Sequence, residues 1–87
     1  MQIALALQEK KKQALLRVRL RHAIELIEVA RRHATPGAVA RGVRFGHEVL
    51  RDARGLKLAG RVDEEARGLL DLVLQLSLRL SELERTP

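Results

Sequence analysis

One run of residues constrains this chain more than any other. Val62, Ala66, Leu69, Val73, Leu76, Leu80 and Leu83 recur in steps of four and three without a miss. An α-helix of 3.6 residues per turn brings such positions onto one face, so the spacing predicts a helix over about 63–84 with an unbroken apolar seam. Asp63 is placed to cap it, and Glu64 and Glu65 fall in the first turn, where the helix dipole favours anions. The helix is apolar beyond its seam. Leu70 and Leu74 widen one flank, Leu72 lies on the other, and Leu78 points nearly opposite. A helix apolar on most sides is central in a bundle or buried on two fronts.

The rest of the chain supplies helices to pack against it. Ala, Leu, Arg and Glu dominate, and all favour helix. Phe45 is the single aromatic residue and there are two threonines, few for a sheet. A long first helix spans about 3–33, with Leu16, Leu20, Ala23, Ile27 and Ala30 along one face and Ile24 beside them. Thr35 is a good N-cap and Pro36 suits the first helical position, so a second helix runs from 36 to about 59. Gly60 then fits the left-handed position after it, with Leu56 and Val62 as the apolar contact of that cap. Short turns make neighbouring helices antiparallel.

The predicted fold is therefore all-α: one domain over residues 1–87, a three-helix antiparallel bundle with a long first helix. Eighty-seven residues without a cysteine make a marginal core. Phe45, Leu72 and Leu78 are apolar residues that three helices leave over, so we expect a homodimer or higher homo-oligomer forming a larger helical bundle. The alternative is an α+β ferredoxin-like βαββαβ sandwich, because "LLRVRLR", "GLKLAGRV" and "LQLSLRL" alternate with period two.

Within the second helix, "TPGAVARGVRFGHEVLRDA" admits two readings. As one helix, Val39, Val43, Gly46, Leu50 and Ala53 form the seam. Ala38, Gly42 and Gly46 form a strip of small residues that lets another helix come close. Phe45 then lies about 120° from the seam centre and meets a neighbouring chain. Broken near Arg44–Gly46, the stretch resembles the helix-turn-helix pattern of bacterial DNA-binding regulators. Ala40 would pack the two helices, and His47, Glu48, Arg51 and Asp52 would open the recognition helix. That resemblance implies a dimeric regulator. The turn position usually given to glycine is Arg44 here, and the straight helix is the reading we adopt.

Seventeen Lys and Arg oppose eleven Asp and Glu, a net charge of +6. Residues 1–61 hold fourteen basic and five acidic residues, and residues 62–87 three and six. A basic body of this kind suits a polyanion. Lys10, Lys11, Lys12, Arg17, Arg19 and Arg21 crowd the first helix, and Arg44, His47, Arg51 and Arg54 follow on the second. They are candidates for sequence-independent contacts to the phosphates of DNA or RNA, which release counterions. An acidic protein, or a place as accessory subunit of a nucleoprotein complex, would use the same patch. The scarcity of aromatics disfavours a base-stacking platform.

Nothing marks a catalyst. Ser77 and Ser81 have no histidine near them in sequence, and no metal or cofactor is expected. One set of carboxylates is worth weighing: Glu25 and Glu28 in "ELIE", Glu48 and Asp52 in "HEVLRD". It is similar to the ExxE and ExxD motifs of the all-α MazG-type nucleotide pyrophosphohydrolases, which implies Mg²⁺ held between facing helices. The second spacing here is ExxxD. No apolar run reaches the ~20 residues of a membrane span. In "MQIALALQEKKK" the apolar residues precede the lysines, the reverse of a signal peptide, so a cytoplasmic protein is expected.

Overall fold

The computed structural model describes residues 2–58 and 63–85. Three helices form an antiparallel bundle: α1 (Gln2–His33), α2 (Pro36–Gly55) and α3 (Glu64–Arg85). No strand occurs among the described residues. Two of the segments that alternate with period two lie in α1 and α3, and the third begins at Gly55, where α2 ends, so the sandwich alternative is set aside. No described helix is long and apolar enough to cross a membrane.

The α1–α2 connection is two residues long. Ala34 takes a left-handed conformation (φ 51°) and its N–H bonds to the Ala30 carbonyl at 2.8 Å. Thr35 is extended, as a residue before proline prefers, and its Oγ1 accepts from the Ala38 N–H at 3.3 Å. Asp63 caps α3 in the same way, its Oδ2 accepting from Ala66 N–H at 3.2 Å.

α2 ends at Gly55, four residues before the expected end. The Leu56 and Lys57 N–H groups bond back to the Ala53 and Arg54 carbonyls, each at 3.2 Å, and Lys57 turns left-handed (φ 50°). This turn drives Leu58 into the core, which a helix continuing to residue 59 would not do. Gly60 and Val62 lie outside the described residues.

The core is built from Leu16, Leu20, Ala23, Ile27 and Ala30 of α1 and Ala66, Leu69, Leu76, Leu80 and Leu83 of α3. Val73 is half-buried beside them. α2 contributes differently. Its buried residues are Gly42, Gly46, Val49 and Ala53, while Val39, Val43 and Leu50 are half-buried. At 100° per residue, this axis is rotated about 50° from the one hydropathy predicts. A Cβ at Gly46 would meet Leu80 Cδ1 at 3.1 Å, and one at Gly42 would meet Leu83 Cδ2 at 3.4 Å. The glycines thus serve packing within one continuous helix, and the break that a helix-turn-helix requires near Arg44–Gly46 is absent.

α1 has 32 residues against 20 in α2. Among its described side chains the first buried is Gln13, and every one from Leu7 to Lys12 is exposed. At 1.5 Å per residue α1 alone accounts for nearly all of the molecule's 50 Å long axis.

Three predictions follow the backbone. Gly68 has nothing within 4 Å of a built Cβ, so Gly68→Ala should stabilise the bundle by about 1 kcal/mol in urea denaturation. Gly46→Leu should instead destabilise it by roughly 1–3 kcal/mol or more, by forcing α2 away from Leu80. Ala34→Gly, which relieves a left-handed alanine, should raise stability by about 1 kcal/mol in the same measurement.

Candidate nucleic-acid interface

The basic residues singled out from the sequence divide into two groups once folded. The first is consumed inside the bundle. Arg19, on the α2 side of α1, binds Asp52 and also reaches Glu48 at 3.3 Å. Its guanidinium stands 5.6 Å over the Phe45 ring, and His22 meets the same ring edge-on at 5.2 Å between centroids. Arg17, on the opposite side of α1, pairs with Glu65 of α3 at 3.6 Å. His47 Nε2 lies 2.6 Å from Glu84 Oε1, tying α2 to α3. Two further pairs join α1 to α3: Arg79 Nε donates to Glu28 Oε1 at 2.7 Å, and Arg31 to Glu82 at 3.0 Å.

The second group is exposed and makes no ion pair among the described residues. On α2 it comprises Arg44, Arg51 and Arg54, together with Arg41. On α1 it comprises Arg21 and the successive Lys10, Lys11 and Lys12. Arg44 and Arg51 are seven residues apart, two turns along the outward ridge of α2 and about 10 Å from each other. A groove of about 390 Å³ runs between α1 and the end of α2, lined by Lys12, Arg19, Arg51 and Asp52 together with Leu15, Leu16 and Leu56. It brings Lys12 of the α1 lysine cluster and Arg51 of the α2 ridge to one surface. Sequence spacing alone did not show this, because it depends on which face α1 turns to α2.

The apolar residues expected to mediate self-association are also divided. Phe45 and Leu72 are half-buried against the core of their own chain. Leu78 remains exposed, next to an exposed Leu74. With the α2 axis shifted toward α1, Phe45 lies about 70° from the buried centre, near enough to shelter under Arg19.

The four carboxylates weighed as a Mg²⁺ site are held apart by different arginines. Glu48 and Asp52 face Arg19, Glu28 faces Arg79, and Glu25 is exposed. Among the described residues no group of three or more His, Asp or Glu is placed to hold a metal ion.

Glu28 has its carboxyl held below the ordinary glutamate value of 4.5, chiefly by the hydrogen bond from Arg79 and further by the charges of Arg79, Arg31 and Arg32, against a smaller opposing effect of burial. A depressed folded-state pKa stabilises the fold above the unfolded value and loses that contribution as pH falls through the folded one. Glu28→Gln should therefore destabilise the bundle at pH 7 and flatten the acid limb below about pH 4.5, read as urea midpoints across pH.

The chain matches no family model, no curated protein and no solved structure to which it was compared.

Proposed function

We propose that this chain is a non-catalytic module that binds the sugar–phosphate backbone of a nucleic-acid duplex through α2 and the first third of α1. The observation that supports this most is selective pairing. The bundle neutralises Arg17, Arg19, Arg31 and Arg79 with its own carboxylates and holds His47 against Glu84, yet Arg41, Arg44, Arg51 and Arg54 stand exposed and unpaired along a single helix. From Arg41 to Arg54 these residues span about 20 Å of helix, the axial length over which a duplex presents roughly six phosphates per strand at 3.4 Å each. Lys12, across the groove from Arg51, extends the positive surface onto α1.

Phosphate contacts of this kind position a duplex without reading it. Small residues flank the arginines, Gly37 and Ala40 before Arg44 and Gly55 after Arg51, with His47 and Glu48 between. A phosphate strand can come close to such a surface.

Binding should weaken steeply with salt and differ little between duplex sequences. Removing Arg44 and Arg51 together should reduce the slope of log affinity against log salt by about two, while leaving the unfolding midpoint unchanged. Arg19→Ala should do the reverse, because Arg19 serves the fold: the midpoint falls and the salt slope holds. Fluorescence anisotropy with a labelled duplex measures the slope, and no binding even at low salt defeats the proposal.

A further inference from the structure

The face of α1 turned away from the core carries Leu7, Lys11, Ala14, Val18, Glu25 and Val29, all exposed. Val18, at the middle, is 64% exposed. Leu7, Val18 and Val29 follow one another at intervals of eleven residues. That interval is three turns plus about 20°, so they form an almost straight line along the helix. Of the six large exposed apolar residues among those described, four lie on α1: these three and Leu15.

We propose that this face pairs with the same face of a second copy of the chain, α1 against α1, antiparallel, about a two-fold axis passing beside Val18. Leu7 and Val29 stand eleven residues to either side of Val18, and Lys11 and Glu25 stand seven to either side. Reversing the helix about Val18 therefore sets Leu7 on Val29 of the other copy and Lys11 on Glu25 of the other copy, each twice. Lys11 and Glu25 make no hydrogen bond or ion pair within the described chain. A parallel pairing would oppose Lys11 to Lys11 and Glu25 to Glu25, so charge selects the antiparallel arrangement. The contact covers 23 positions, counted from Leu7 to Val29, or about 33 Å of helix. It also covers the turns from Leu7 to Lys12, which no other helix of the chain buries.

The other exposed apolar pair, Leu74 and Leu78 on α3, offers no such match. An antiparallel pairing centred between them would bring Arg67 of each copy against Arg85 of the other, both exposed. The α1 face is the self-complementary one. The pairing goes beyond the phosphate-binding reading and does not depend on it.

Light scattering on the purified chain, without nucleic acid, tests the arrangement. The expected mass is twice 9.8 kDa. Val18→Asp should give the single-chain mass with the circular dichroism of the parent, whereas Leu78→Asp should leave the dimer intact. Lys11→Glu places like charges together twice and should weaken the dimer at least about tenfold, and Lys11→Glu with Glu25→Lys should restore it. The charge pair keeps the test decisive if the aspartate at 18 disturbs folding. The proposal is overturned by a single-chain mass up to about millimolar concentration. It is equally overturned by a dimer that survives Val18→Asp, by one lost in Leu78→Asp, or by a double charge reversal no tighter than the single.

Discussion

The bundle depends on how closely α2 approaches its two neighbours. At Gly42 and Gly46 the α2 backbone itself is the packing surface, filled from one side by Ile27 and Ala30 and from the other by Leu80 and Leu83. A helix with ordinary side chains at these positions would stand farther off. Leu80, Leu83 and Ile27 would then lose the dense contact that a small core requires. Two glycines inside a helix cost about 1 kcal/mol each in propensity. The offset comes from α3, whose leucines reach the α2 backbone and are themselves fully enclosed. The extra apolar surface of α3 is thus largely used within one chain: Leu70, Leu72 and Val73 pack on the core and leave Leu74 and Leu78 outside.

Charge follows the same economy. The acidic segment predicted from the sequence to contrast with a basic body is the part of the molecule that neutralises it. Glu65 and Glu82 of α3 each take a cation from α1, Glu84 holds His47 of α2, and Arg79 returns a cation to Glu28. Exposed pairs of this sort contribute little stability individually. Their value lies in register, since sliding α3 by one turn against α1 would separate Arg17, Glu28 and Arg31 from their partners together. On α2 the cations Arg41, Arg44, Arg51 and Arg54 are left over together, beside Lys12 of α1.

Legibility differed by helix, for a physical reason. α1 and α3 bury large aliphatic residues, so hydropathy periodicity located their faces: Leu16 through Ala30 and Ala66 through Leu83 are buried nearly as the spacing requires. α2 buries glycines, which carry no hydropathy signal. The apolar pattern therefore pointed toward Val39, Val43 and Leu50, about 50° from the true axis, and Val49 escaped notice. The same rotation explains Phe45, which reading the sequence placed on the outside and folding places under Arg19. Of the candidate site, the exposed positions Arg44, Arg51, Arg54 and Lys10–Lys12 were legible as basic. Nothing in the spacing told Arg17, Arg19 and His47 apart from them, because an ion pair between helices depends on which residues meet across the interface. The early end of α2 escaped for a related reason: Lys57, not a glycine, takes the left-handed turn.

Arg17 and Arg19 sit on either side of Val18, about 100° away in each direction, and one points to α3 while the other points to α2. The back of α1 is therefore a watershed between a strongly cationic slope and a nearly balanced one. A rotation axis normal to the plane of two antiparallel rods keeps everything above that plane above it. Joined along this watershed, two copies would turn both arginine ridges to the same side and both carboxylate-rich helices to the other. A small symmetric protein would then have a front and a back, and a polyanion lying across the front would be gripped at two places by a single rigid body.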